Sequence, residues 1–187
     1  MRKQLKRMSY IVSSILAGAL AVLLLEGCST IKIEDLPKTK QTLVIEEYFA
    51  GTSKAYGILF DRNGVPQRQF SVDLVGTWDE VKKTLTLDED FVFNDGEKSN
   101  RKWVITKVGD KQYTGKAGDV VGEATGVSHG NAFQWKYVLN VPYKGSTLAL
   151  NIDDWLYLND DDVLINRSIM YKYGFKVGEI VISFNKK

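Results

Sequence analysis

The sequence predicts an all-β domain: an antiparallel meander closed into a barrel of about eight to ten strands, preceded by a signal-peptide helix. Three observations carry this expectation. Nine runs rich in β-branched and aromatic residues follow one another between residues 43 and 184. Short clusters of turn-forming residues separate them. No stretch beyond Cys28 keeps a long helical period. Closure is expected because consecutive hairpins otherwise leave exposed sheet edges.

The first 27 residues read as a targeting segment. Arg2, Lys3, Lys6 and Arg7 form a basic head, Ile11 to Leu25 an uncharged apolar core, and Gly27 precedes the only cysteine, Cys28. Leu25-Glu26-Gly27-Cys28 resembles the lipobox of bacterial lipoproteins. That resemblance implies cleavage before Cys28 and lipidation of its thiol and new amino group. Several acyl chains, at about 0.8 kcal/mol per buried methylene, make a stable membrane anchor. An uncleaved spanning helix is the rival, but the apolar core is short beside the roughly 20 residues a bilayer needs. Ser29 stands where an aspartate would resemble the inner-membrane retention signal. This favours the periplasmic face of the outer membrane as the location.

Residues 28–41 are expected to be the lipidated cysteine and a flexible polar tether containing Pro37, reaching roughly 40 Å if fully extended. Residues 42–187 are expected to form the barrel. The chain carries 25 Lys+Arg and 23 Asp+Glu, a net charge of +2. Four of those cations and one of those anions precede Cys28, so residues 28–187 hold 21 against 22 and no polybasic tract. Nucleic acid is therefore not expected as a partner. With one cysteine, neither a disulfide nor a cysteine-based metal site is available.

The expected strands, in order, are Leu43–Phe49, Tyr56–Phe60, Phe70–Trp78, Leu85–Phe93, Trp103–Val108, Gln134–Val141, Leu148–Leu158, Val163–Tyr171 and Phe175–Phe184. Breaks fall at Asp61-Arg62-Asn63-Gly64, Asn94-Asp95-Gly96, Gly109-Asp110, Tyr143-Lys144-Gly145 and Asn159-Asp160-Asp161-Asp162. A short helix is expected around Asp79–Lys83. Alternation places Phe70, Val72 and Leu74 on one face, as it does Leu85, Leu87, Phe91 and Phe93, and Phe133, Trp135, Tyr137, Leu139 and Val141. A barrel of this size either fills itself with side chains or encloses one small ligand. A two-sheet sandwich fits the same pattern. A porin-type barrel does not, because several strands are short and both faces carry charge.

Several motifs carry a resemblance to a family. They are Tyr48-Phe49-x-Gly51, Gly57-x2-Phe60-Asp61-Arg62-x-Gly64, Arg68 and Phe70-x-Val72-x3-Gly76-x-Trp78, followed by Glu89-Asp90-Phe91, Asp95-Gly96 and Arg101-x-Trp103. The glycine series from Gly115 to Gly130, Asp153-Asp154-Trp155-x-Tyr157, Asn166-Arg167, Gly174-Phe175 and Gly178-Glu179 continue it. Together they resemble a family of Gram-negative lipoproteins of unknown function built on one lipocalin-like domain. The resemblance implies a calycin-type barrel on a lipid anchor, and no catalytic residues.

Charges at positions that should be apolar mark candidate ligand contacts. Glu89 shares a face with Leu87 and Phe91, Arg101 with Trp103 and Ile105, and Arg167 sits between Ile165 and Ile169. Such charges must be paired or shift their pKa. Arg101 or Arg167 could meet the anionic head of an amphipathic ligand, or could close salt bridges with Glu89, Asp90 or Asp153. Trp103, Trp135, Tyr137, Trp155 and Tyr157 are the aromatic candidates for a pocket wall. No metal site or cofactor is expected. Asp160-Asp161-Asp162 lacks calcium-loop spacing, the lone His129 cannot build a zinc site, and the glycine series lacks a P-loop lysine.

The functional expectation is a non-enzymatic, lipid-anchored barrel that binds or carries a fatty acid or other lipid. The alternatives are an envelope interaction protein with a filled barrel, or an enzyme on lipid or envelope polymer using Glu89, Asp90, Asp153 and Asp154.

Overall fold

Ten strands follow one another in the computed structural model, which describes residues 31–37 and 39–186. They are β1 (Gly51–Asp61), β2 (Pro66–Asp79), β3 (Thr84–Phe93), β4 (Lys98–Lys107), β5 (Gln112–Lys116), β6 (Val120–His129), β7 (Ala132–Tyr143), β8 (Ser146–Leu158), β9 (Leu164–Lys172) and β10 (Phe175–Lys186). Each pairs antiparallel with its neighbours in sequence, and β1 pairs with β10 to close the barrel. The sandwich alternative is thereby set aside. The signal segment and Cys28 lie outside the described residues.

The chain divides into two units, Met1–Asp35 and Leu36–Lys187. The described part of the first carries a 3-10 turn at Ile33–Asp35. The second is the barrel with its short helix.

That helix, α1 (Ile45–Phe49), corrects the expectation of a strand over Leu43–Phe49. A five-residue helix cannot stand alone in water, where even 12–15 residues are marginal. Here packing holds it: Leu43, Ile45, Tyr48 and Phe49 belong to the main core cluster. The Tyr48 hydroxyl lies 2.9 Å from the Asp162 carbonyl and 3.2 Å from that of Phe184, which ties α1 to the acidic turn and to β10. Glu46 accepts hydrogen bonds from Lys107 Nζ (2.6 Å) and the Tyr113 hydroxyl (2.9 Å), fixing the helix to β4 and β5. The helix thus plugs the end of the barrel that also carries the β2–β3, β4–β5, β6–β7 and β8–β9 connections.

The short helix expected around Asp79–Lys83 is a turn instead. Asp79 Oδ1 accepts from the backbone N–H of Val81 (3.1 Å) and Lys82 (3.0 Å), an Asx arrangement that competes with helix. All five expected breaks fall at strand junctions. Gly64, Gly96 and Gly145 supply the positive φ three of those turns require.

Strands β5 and β6 were not among the expected runs. Their inner faces carry few large side chains because a neighbour fills the space. A Cβ on Gly115 would lie 2.7 Å from the Trp135 ring, and one on Gly126 would lie 2.5 Å from the Phe133 ring and closer still to that of Trp135. The glycine series therefore makes room for β7 aromatics, and Gly122, at φ +71°, lies where the β6–β7 register shifts. Strand β5 is short and opposes only Val104–Lys107 of β4. The preceding half of β4, towards Lys98, has no β5 residue opposite it.

Candidate functional site: the barrel interior

The inward side chains leave space along the barrel axis. A cavity of about 310 Å³ runs from Ile45 and Phe49 on α1 to Arg68 and Phe93 on the far side. It lies at the low end of the range for ligand pockets, and is about twice the engineered ~150 Å³ cavity that takes up benzene. Its walls are mainly apolar and aromatic. Trp103 packs edge-on against Trp135 (5.6 Å) and Tyr137 (5.3 Å), and Phe70, Phe91 and Phe93 form a second aromatic group.

Two groups of polar side chains interrupt these walls. Glu89 on β3 and Arg101 on β4 are cross-strand partners. From β7, β8 and β9 come Tyr137, Asp154, Asn166 and Ser168. Arg101 is already engaged: its Nε (3.0 Å) and Nη2 (2.8 Å) both reach Asp119 Oδ2, from the β5–β6 connection. This ion pair spans the stretch of β4 that β5 leaves unpaired. Asp154 accepts from Ser168 Oγ (2.5 Å) and from Asn166 Nδ2.

Glu89 is different. It is only 8% exposed, yet among the described residues its carboxyl has neither a hydrogen-bond donor nor a salt bridge. Burial pushes this carboxyl up to about 7, against the pull of Arg101 and with the help of Asp119 and Asp154. Burial likewise raises Asp154 above the ordinary aspartate value, although Ser168, Asn166 and Arg101 oppose it. The Tyr137 phenol is pushed well above its usual value, mainly by burial.

Of the residues singled out from the sequence, Glu89, Arg101, Trp103, Trp135 and Tyr137 line the cavity together. Arg167, Trp155 and Tyr157 do not. Arg167 lies on the outer wall with its Nε 2.7 Å from Glu179 Oε1, and the Trp155 and Tyr157 rings stack at 6.0 Å on the same outer face. Both arginines are paired, but with Asp119 and Glu179 rather than Glu89, Asp90 or Asp153. Asp90 and Asp153 also stand outside, held by Asn100 (2.9 Å) and Gln134 (2.6 Å). Of the four carboxylates considered for an enzyme, the interior holds Glu89 and Asp154.

Sequence reasoning missed Arg68, Asp119, Asn166 and Ser168. Arg68 was detectable, since it lies two residues before Phe70 and therefore on its face. Its guanidinium sits 3.8 Å over the Phe93 ring and pairs with Asp95 (2.8 Å) and Glu97 (3.0 Å). Asp119 gave no signal, because a connection has no alternation to read.

The fold and its interior define a closed ten-stranded antiparallel barrel with a cavity large enough for a small molecule. The chain belongs to the family described as a protein of unknown function, DUF3833, whose model matches residues 22–186. Among solved structures it is similar to the S-type phycobiliprotein lyase from Guillardia theta. The two share a TM-score of 0.56 at 10% identity, over 76% of this chain and 90% of that one. At that identity the likeness is one of fold. No curated protein matches the chain.

Proposed function

We propose that this protein is a lipid-anchored periplasmic barrel that binds or carries a small apolar or amphipathic molecule of the lipid class. The observation that carries the reading is the aromatic-walled cavity of about 310 Å³ with a cluster of polar groups inside it. A container needs apolar walls for affinity and a few placed polar groups for orientation, and the interior supplies both. The interior space favours a container over an interaction protein with a filled barrel. Anchoring through Cys28, at the periplasmic face of the outer membrane, would keep that container beside a lipid supply.

Mass spectrometry of the protein purified from its native envelope tests both halves. Under native conditions the expected result is one co-purifying small molecule per chain, released on denaturation. The denatured chain should have the mass of residues 28–187 plus acyl groups. An empty barrel would contradict the container reading, and an unacylated amino terminus would contradict the anchor.

A further inference from the structure

The interior is better furnished with acceptors than with cations. Facing Glu89 are Arg101 from β4, Asp119 from the β5–β6 connection, Tyr137 from β7 and Asp154 from β8. That is one guanidinium among three carboxyl groups, and Asp119 already occupies its Nε and Nη2. Two acceptors in this group lack a donor. The Glu89 carboxyl borders the cavity with no hydrogen bond, and Asp119 Oδ1 is buried without a partner. An acceptor without a donor in the wall of an apolar cavity is costly, so each marks a place where a donor is wanted.

Resting on the container reading above, we propose that the ligand's polar end donates hydrogen bonds to Glu89 and carries no negative charge. The class is a hydroxyl, amide or amine on an apolar body. An ionised carboxylate would have to enter beside Glu89, Asp119 and Asp154 and displace Asp119 from Arg101. Glu89 keeps a protonation equilibrium near neutrality, so it can accept from a neutral donor or pair with a cationic one.

Three probes of equal chain length separate the headgroups: octanol, octylamine and octanoate, titrated calorimetrically at pH 8 into the delipidated full chain held in amphipol. Octanol and octylamine should bind, with octanoate at least about tenfold weaker. Glu89→Gln should weaken octylamine by about tenfold or more and leave octanol within a few-fold. Retained octanol binding also shows that the variant is folded. Octanoate binding as tightly as octanol, or octylamine indifferent to Glu89→Gln, would overturn the proposal while leaving the container reading intact. Failure of all three probes would overturn both.

Discussion

Replacing Glu89 with glutamine should raise stability by about 1 kcal/mol or less at pH 5 and by about 3 kcal/mol at pH 8. The folded carboxyl titrates at about 7 against an ordinary value of 4.5. Between those limits the folded chain keeps a proton that the unfolded chain has lost. Stability therefore falls as pH rises through this window, by about 1.4 kcal/mol per unit. Glutamine mimics the protonated acid and removes that slope. For a chain of this length the gain at pH 8 corresponds to a Tm rise on the order of 5–10 °C. Asp154, also raised by burial, titrates in the same sense and leaves a residual slope. Glu46 and Glu179, held below the usual carboxylate value, act on the acid side of this window. Thermal melts of both chains from pH 5 to 8 check the prediction. Parallel curves would mean that Glu89 is ionised throughout.

Glycine 76 should be the least replaceable glycine of the barrel wall. It opposes Gly51 in the β1–β2 register, and α1 ends directly above it. A Cβ there would stand 2.7 Å from the carbonyl carbon of Phe49 and closer still to its oxygen. Backbone cannot rotate away as a side chain can, so Gly76→Ala must push the plug helix off the barrel end. The expected cost is about 3 kcal/mol, the upper end of overpacking. Gly64→Ala is strained only by its positive φ and meets nothing in space, so it should cost about 1–2 kcal/mol. Denaturant melts of the two variants read the difference. Equal costs would contradict the close seating of the helix.

The sheet was legible in the sequence wherever inward positions are large. Phe70, Val72 and Leu74, or Leu85 and Leu87, alternate with polar residues and lie inside as expected. The pattern failed where one element's side chains fill another's face, as Trp135 does over Gly115 and Gly126. It failed again at Leu43–Phe49, where a β-branched run became a helix because Ile45, Tyr48 and Phe49 share one buried side. The site was half legible for a similar reason. Glu89 and Arg101 interrupt clear apolar faces, and both face inward. Arg167 interrupts one too, but on the outer wall, where Ile165 and Ile169 are themselves half-buried. Adjacent polar pairs hide their parity altogether: Asn166 turns in beside an outward Arg167, and Asp154 turns in beside an outward Asp153.

Whether the interior is a binding site is tested most directly by filling it. Val72, buried on β2 and lining the cavity, can be enlarged to phenylalanine into the open space. Titration with the neutral dye N-phenyl-1-naphthylamine should give one saturable site per chain in the wild type, with energy transfer from Trp103 and Trp135. Val72→Phe should weaken that binding by about tenfold or more while the Tm stays within a few degrees. Equal dye binding by the two folded chains, or none by either, would contradict an interior ligand site.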